Sequence, residues 1–400
     1  MWLESTIATR FLRQGLTQTV LILVGIAVGV AVIVFISTLI NGLQSNLIER
    51  TLGTQSHIRV EPPDEVNAVV RQPPGTLALI LEDKRAQRLR SINNWIQVRD
   101  TLETLPGITA VSPIISGPAF VRRGEVLKAI SLMGIDPARY EKIVPVNKDI
   151  IAGHFRVGAG DAVIGRLLAD DLGIRVGNKL RIEGDEGRTA IVTVVGIFEL
   201  GVRELDLRYA YLDMKQTQSL LDLSGGVTVI DVNVEDLFAA DAVAGRISRL
   251  TGLKSESWMQ SNAQLMNALR SQSLSTSLIS IFVALSVAFG IASVLAISVT
   301  QRTREIGILR AMGTRQEQML RVFLVQGALL GLAGSAAGSL LGCGLVWIFN
   351  TFGPKLFYIP LSMSLIPITM AAATVTGVLA AMVPAWRASR MDPVEAIRYV

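Results

Sequence analysis

Four segments of this sequence contain no charged residue, and each is long enough to cross a lipid bilayer. They cover residues 14–48, 271–301, 322–354 and 356–386. A helix needs about 20 apolar residues to span the hydrocarbon core. Charged residues are frequent between Glu49 and Arg270, so no further span is predicted there. The sequence therefore predicts one membrane helix, a large polar domain and three more membrane helices.

The basic residues predict the orientation of these helices. Residues 43–275 hold 27 Lys/Arg and 28 Asp/Glu, whereas the rest of the chain holds 11 and 5. Lys and Arg accumulate on the cytoplasmic side of membrane helices. We therefore expect both termini and the 301–320 loop in the cytoplasm of a multi-pass inner-membrane protein, with the large domain outside. The net charge of +5 is then a topology signal and does not indicate nucleic-acid binding.

These patterns divide the chain into consecutive segments. They are a cytoplasmic amphipathic helix (1–16), the first membrane helix (17–42), an extracytoplasmic domain with stalk helices (43–275), the second membrane helix (276–300), a cytoplasmic loop with a short helix (301–320), the third membrane helix (321–349), a short outer loop (350–364), the fourth membrane helix (365–386) and a cytoplasmic C-terminus (387–400). The apolar run at 20–40 is too long for the core of a signal peptide, so we expect a retained anchor.

Apolar periodicity adds detail near the membrane. Leu3, Ile7 and Phe11 share one helical stripe, which predicts a helix along the inner membrane surface or an extension of the first span. Gly25 and Gly29 form a small-residue stripe that permits close helix packing. Helical spacing continues past residue 43 and precedes residue 270, which predicts that both helices extend into the outer domain as stalks.

The outer domain has the pattern of a mixed α+β fold. Residues 57–61, 190–198 and 227–234 have the alternation or β-branched composition of strands, and residues 165–172 and 237–250 have helical periodicity. Residues 62–94 contain Pro, Arg and Gln, including Pro73-Pro74-Gly75, which predicts a loop or mobile insertion.

No motif of enzyme chemistry occurs in the chain. There is no GxxxxGK[ST] phosphate loop, no GxSxG and no HExxH. His57 and His154 lack the spacing of metal ligands, and Cys343 has no second cysteine to pair with. We therefore predict no catalytic residue, no metal and no cofactor bound by this chain.

The 301–321 segment combines an apolar ridge with flanking arginines. Ile306, Leu309 and Met312, with Ile308 and Ala311 nearby, lie on one side of a short helix, and Gly313 is placed to terminate it. Such a helix either lies on lipid headgroups or inserts into a groove on a cytoplasmic partner. Periodicity alone leaves both open.

Two sequence segments resemble hallmarks of the MacB/FtsX-like ABC transporter permease family. They are residues 304–313 (REIGILRAMG) and residues 384–398 (PAWRASRMDPVEAIR). The resemblance implies four membrane helices, a MacB-like periplasmic core domain and an architecture like that of type VII ABC exporters. It also implies that the short helix is a coupling helix that docks on a separate ATPase. Its docking residues would be Arg304, Glu305, Ile306, Leu309, Arg310, Ala311, Met312 and Gly313.

Shorter segments resemble the lipoprotein-releasing (LolC/LolE-type) branch of that family. They are residues 41–43, 54–58, 133–136, 164–169, 195–198 and 324–327. The insertion at 63–94 departs from that branch, so no acceptor-binding hook or pad is assigned in the outer domain.

The resemblance implies a permease that pairs with a second permease subunit, identical or related, and with a dimeric cytoplasmic ATPase that binds ATP and Mg. A lipoprotein cargo would leave the outer leaflet through a lateral opening between the first two membrane helices and pass to a periplasmic acceptor. The candidate acyl-chain contacts are Val34, Phe35, Leu39, Leu278, Ile281 and Phe282; alternatively, these residues face lipid or pack between helices.

Two other functions are compatible with the same family. A MacB-type protein exports a peptide or small molecule from the periplasm within a tripartite assembly. An FtsX-like protein transports nothing and regulates a cell-wall hydrolase, although its outer domain is much smaller than the one predicted here.

The third span carries a stripe of glycines at spacings of three and four residues. They are Gly327, Gly331, Gly334, Gly338 and Gly342. Such a stripe predicts close packing of another helix. That helix belongs either to the same chain or to the second permease subunit.

Overall fold

The computed structural model describes residues 2–63, 89–184, 187–353, 358–361 and 363–391. The chain forms two compact units. One unit combines Met1–Ile48 with Asn267–Val400, and the other is Glu49–Met266. Most of the predicted insertion at 62–94, and the last nine residues of the predicted C-terminus, lie outside the described residues.

The first unit is entirely helical within the described residues. Its helices are α1 (Trp2–Gln14), α2 (Leu16–Leu52), α10 (Ala263–Gln301), α11 (Thr303–Ala311), α12 (Gln316–Phe352) and α13 (Leu365–Ser389). Among the described residues, four helices are long and apolar enough to cross a membrane: α2, α10, α12 and α13. At 37 and 39 residues, α2 and α10 are about twice the length that a bilayer core requires. Both boundaries between the units fall inside these two helices.

The glycine stripe of α12 packs against two helices of the same chain. Gly334, Gly338 and Gly342 face α2, and a Cβ atom on Gly338 would lie 2.6 Å from the carbonyl oxygen of Ala27. Gly327 and Gly331 face α13, and a Cβ atom on Gly327 would lie 2.5 Å from the carbonyl oxygen of Gly377. Real Cβ atoms do not approach this closely, so glycine permits the contact. The predicted neighbour is therefore internal to the chain.

Helix α1 is a separate helix and not an extension of the first span. Its apolar side contacts protein, because Ala8 and Phe11 are buried with Phe323 of α12 and Ile306 of α11 in one cluster. Phe11, which was predicted on the stripe facing the membrane, therefore packs against protein instead.

The second unit is a mixed α/β domain. Its strands are β1 (Ile58–Glu61), β2 (Ile108–Arg123), β3 (Val126–Ile135), β4 (Ile150–Gly153), β5 (Asp161–Gly165), β6 (Lys179–Glu183), β7 (Thr189–Phe198), β8 (Tyr209–Asp213), β9 (Val229–Val234) and β10 (Lys254–Ser257). Its helices are α3 (Trp95–Glu103), α4 (Pro137–Tyr140), α5 (Arg166–Leu172), α6 (Arg203–Arg208), α7 (Met214–Leu220), α8 (Ala240–Thr251) and α9 (Trp258–Ser261). The strands predicted at 57–61, 190–198 and 227–234 and the helices predicted at 165–172 and 237–250 are confirmed within a few residues.

The long strand β2 belongs to two parts of the sheet. Its first half pairs with β9, which continues through β1 to β10. Its second half pairs with β3 on one side and with β6 on the other. The order β2-β3-β8-β5-β7-β6 then returns to β2, so these strands close into a ring. Closure satisfies the backbone groups that open edge strands would leave unpaired.

Candidate functional site

Helix α11 is the short amphipathic helix predicted in the 301–320 loop. It spans Thr303–Ala311, and Gly313 follows it with φ of 100°, a conformation that favours glycine. Ile308 and Met312 expose 45% and 79% of their surface, and Arg304 and Glu305 are also exposed. This exposed side offers two apolar anchors beside one charge of each sign.

The apolar ridge predicted on this helix is divided between two environments. Ile306 is fully buried in the cluster of α1, α12 and α13, and Leu309 packs against the same cluster. Gly307 is buried as well. Ile306 therefore anchors α11 to its own chain and is not accessible to a partner, contrary to its predicted docking role. The helical phase puts Ile308 and Met312 on the free side instead.

An arginine side chain holds each end of α11. Arg302 donates to the carbonyl oxygen of Phe11 at 2.8 Å and to the Oε1 atom of Gln14 at 2.9 Å. Its guanidinium also lies over the Phe11 ring, 4.6 Å from the centroid. Arg310 donates to the carbonyl oxygen of Met391, just beyond α13. Arg310 is one of the predicted docking residues, whereas no sequence signal singles out Arg302.

An apolar groove of about 520 Å³ runs between α2 and α10. It is lined by Leu21, Ile22, Gly25, Ile26, Val28 and Gly29 of α2 and by Phe282, Val283, Ser286, Val287, Gly290, Ile291 and Val294 of α10. Gly29 brings the helices together, because a Cβ atom there would lie 2.8 Å from Val287. At Gly25 and Gly290 the space is open. A smaller cavity of about 230 Å³ lies between α2, α10 and α13.

The six predicted acyl-chain contacts do not lie together. Val34 is fully buried against Gly342, and Phe35 packs edge-on against Phe349 of α12. Leu39 is half-buried. In contrast, Leu278, Ile281 and Phe282 of α10 expose more than half of their surface. Phe282 lines the larger groove and Ile281 the smaller cavity.

The groove residues of α2 were missed because the prediction used residues at the outer end of the span. The available signal was the Gly25–Gly29 stripe, which marks the side of α2 facing α10. Gly25 and Gly29 lie five to ten residues before Val34 and Phe35 in chain order, and the helical rotation between them turns the latter pair toward α12.

In the outer unit, the strands next to the two stalks are directly joined. Strands β1 and β10 pair antiparallel, with Ile58 opposite Ser257. The amide of Trp258 donates to the carbonyl oxygen of His57 at 2.9 Å, and its indole donates to the carbonyl oxygen of Leu237 at 2.9 Å. The amide of His57 donates to Oδ1 of Asn233 at 3.2 Å. The chain therefore enters and leaves this domain through one hydrogen-bonded cluster.

Asp231 is a buried carboxylate in β9 of the same sheet. It lies opposite Arg59 of β1 and Ser112 of β2. Burial raises its pKa above the ordinary value of 3.8, and the positive charge of Arg59 opposes part of this rise. Among the described residues, its Oδ1 atom has no hydrogen-bond partner.

Comparisons with known proteins agree with both units. A model described as FtsX-like permease C-terminal matches residues 277–393, and one described as MacB-like periplasmic core domain matches residues 19–250. The lipoprotein-releasing system transmembrane protein LolC of Neisseria meningitidis serogroup B is 25% identical over 99% of both chains. LolC of Xylella fastidiosa (strain 9a5c) is 30% identical, over 77% of this chain and 82% of its own.

Other relatives are longer proteins. The macrolide export ATP-binding/permease protein MacB of Acinetobacter baylyi is 26% identical over 74% of this chain but only 47% of its own length. The crystal structure of the periplasmic region of MacB from Actinobacillus actinomycetemcomitans is 13% identical over 55% of this chain and 96% of that one, with a TM-score of 0.36. The two family models and the LolC relative together cover both units of the chain. The chain belongs to the LolC/MacB family of ABC transporter permeases, with an FtsX-like C-terminal part and a MacB-like periplasmic core domain.

Proposed function

We propose that this permease uses ATP hydrolysis by a separate cytoplasmic ATPase to release lipoproteins from the outer leaflet of the inner membrane. The observation that carries this proposal is the similarity to LolC over nearly the whole chain. LolC relatives are named for lipoprotein release, and their length matches that of this chain, whereas the MacB relative extends well beyond it.

The ATPase would dock on the exposed side of α11. Ile308 and Met312 offer apolar anchors of the kind that fill pockets in a partner, and Arg304 and Glu305 can form charge pairs at the rim. This arrangement requires α11, both termini and their arginines on the cytoplasmic side, in agreement with the positive-inside distribution of charge. ATP and Mg would be bound by the ATPase.

The lipid part of the cargo would enter between α2 and α10 from the outer leaflet and reach the groove at its outer end, near Gly29 and Phe282. The groove is apolar except for Ser286, so it suits an acyl chain better than a polar solute. Its α10 side is exposed at Phe282, which leaves room for a second permease subunit or for cargo. Movement of α2 and α10 would be passed to the outer domain through the helices that continue into it.

A release assay tests this proposal. The permease and its ATPase are reconstituted in proteoliposomes with a triacylated lipoprotein and a soluble acceptor, and ATP-dependent release is measured. We expect Phe282→Asn and Ile281→Asn to lower release roughly tenfold, because an amide in the acyl path lacks hydrogen-bond partners. Leu340→Asn on α12, equally exposed but outside both cavities, is the matched control. Unchanged release in the α10 variants would exclude this path.

Export of a periplasmic peptide or small molecule is the second candidate, favoured by the similarity to MacB. Such export needs a polar route for the substrate and a partner protein that forms a duct. It does not need a groove that holds an acyl chain. It would be supported if wild-type proteoliposomes release no lipoprotein while ATP hydrolysis rises on addition of a periplasmic peptide and a membrane-fusion protein.

A further inference from the structure

Helix α11 is attached to the carbonyl ends of two helices that do not adjoin it in sequence. Arg302, at its start, contacts the last turn of α1 through the Phe11 carbonyl and the Gln14 side chain. Arg310, in its last turn, contacts the Met391 carbonyl just beyond the end of α13 at Ser389. Both arginines are only partly exposed. Arg302 therefore places a cation beside carbonyl groups that the last turn of α1 leaves unpaired, and Arg310 places one beside a carbonyl group just past the C-terminal end of α13.

The contact to α1 is also a contact to α2. The two helices are separated by Gly15, and the hydroxyl of Thr19 in α2 donates to the carbonyl of Leu12 in α1 at 2.9 Å. The Gln18 side-chain amide of α2 donates to Oε1 of Gln301, next to Arg302, at 3.3 Å. Arg302 therefore lies at a corner where α1, α2, α10 and α11 meet.

These contacts complete a set of connections to the membrane helices. Helix α11 follows α10 and precedes α12 in the chain, so it is connected to these two helices through the backbone. It reaches α2 through Arg302 and α1, and it reaches α13 through Arg310. A guanidinium is suited to both positions, because its several donors hold a fixed geometry that a lysine cannot reproduce.

We propose that Arg302 and Arg310 are positioning residues that transmit movement of α11 to α2 and α13, so that docking of the ATPase moves all four membrane helices together. This inference rests on the proposed function, since it requires an ATPase on α11. It does not require any particular cargo.

The first test measures the contacts themselves in the full chain in lipid nanodiscs, without nucleotide. Hydrogen exchange in α1 should become about tenfold faster in Arg302→Gln, and exchange at residues 389–391 about tenfold faster in Arg310→Gln, as expected for loss of a charge-assisted hydrogen bond. The matched controls are Arg13→Gln in the last turn of α1 and Arg387→Gln in that of α13, both exposed. Exchange that stays at the wild-type rate in Arg302→Gln and Arg310→Gln would overturn the proposal.

The second test measures transmission in the complex with the ATPase trapped with ATP, in a Cys343→Ala background. Electron-spin distances are measured between labels at Asn41 of α2 and Thr351 of α12, and between labels at Ser364, before α13, and Thr351. We expect Arg302→Gln to abolish the ATP-dependent shift of the first pair and Arg310→Gln that of the second. Arg302→Lys should restore the first shift only in part. If Arg302→Gln does not fold, Gln14→Ala replaces it, because it removes one hydrogen bond of Arg302 and keeps the arginine. We expect Gln14→Ala to weaken the ATP-dependent shift of the first label pair.

The outcomes separate the two proposals. If the wild-type complex binds its ATPase and shifts, and the Arg302 and Arg310 variants shift equally, the arginines only support the fold and the inference is wrong. If the wild-type chain neither binds an ATPase nor shifts with ATP, the proposed function itself fails.

Discussion

Gly338 of α12 lies so close to Ala27 of α2 that a methyl group on it would come within 2.6 Å of the Ala27 carbonyl oxygen. Gly334 and Gly342, one turn away on either side, approach Ile26 and Val34 of the same helix. The first and third membrane helices are therefore packed backbone to backbone along this stripe. The opposite side of α2, at Gly25, remains open toward the groove.

Gly338→Ala should destabilise the helical unit by about 1–3 kcal/mol, because the added methyl group forces α2 and α12 apart. Gly344→Ala is the matched control on the same helix, since a Cβ atom there meets nothing within 4 Å. The control should be stabilised by about 0.5–1 kcal/mol through helix propensity alone. Thermal unfolding in detergent measures both; equal melting temperatures for the two variants would mean that this packing is absent.

Met312→Asp and Ile308→Asp should each weaken binding of the ATPase by about 2 kcal/mol or more, because each removes an apolar anchor from the exposed side of α11. Binding is measured by titration of the ATPase onto the permease in nanodiscs. The melting temperature of the permease should not change, since both side chains are exposed.

Ile306→Ala should behave in the opposite way. Ile306 is fully buried, so its truncation should lower the stability of the helical unit by about 2–5 kcal/mol. The Ile306→Ala protein should therefore lose ATPase binding only at the temperatures at which its helical unit unfolds. Stable Ile306→Ala protein that fails to bind the ATPase would assign Ile306 to the docking surface after all.

Gly25→Leu should reduce lipoprotein release by filling the groove between α2 and α10. The new side chain has room, since nothing lies within 4 Å of its Cβ position, and it projects into about 520 Å³ of apolar space. We expect release to fall roughly tenfold. The leucine side chain would displace one or two methylene groups of the acyl chain from the groove, and the lost burial free energy corresponds to about that factor. Gly344→Leu controls for added bulk on a different helix, and equal release by both variants would argue against an acyl chain in this groove.

Asp231 should make the outer domain less stable as the pH rises. Because burial raises its pKa in the folded state, the stabilising effect of protonation is fully present below the unfolded value and is lost as the pH rises through the folded value. Asp231→Asn should not show this loss. Hydrogen-exchange protection of β9 in the full chain, corrected for intrinsic rates, measures the difference between the two proteins. A difference that grows as the pH falls would contradict the raised pKa.

The sequence predicts the membrane helices and the family because long charge-free segments and two local motifs carry those signals. Strand and helix positions in the outer domain also follow from local periodicity. Closure of β2-β3-β8-β5-β7-β6 into a ring does not, because the pairing of β6 with β2 joins residues far apart in the chain. The exposed side of α11 was predicted only in part for a related reason. Periodicity identifies one apolar side of α11, but the packing of α1 and α12 decides that Ile306 is buried and Met312 exposed.

Arg302 illustrates the same limit. In the sequence it is one of several arginines between residues 301 and 321, and nothing local distinguishes it from Arg304. Only the fold brings it to Phe11, about 290 residues earlier in the chain.

The decisive measurement for lipoprotein release by this permease is ATP-dependent transfer of a triacylated lipoprotein from proteoliposomes to a soluble acceptor. The wild-type permease with its ATPase should release the lipoprotein in proportion to the ATP hydrolysed, and Met312→Asp should abolish that release. Robust ATP hydrolysis by the intact complex without any release of lipoprotein would contradict the proposal that this permease releases lipoproteins.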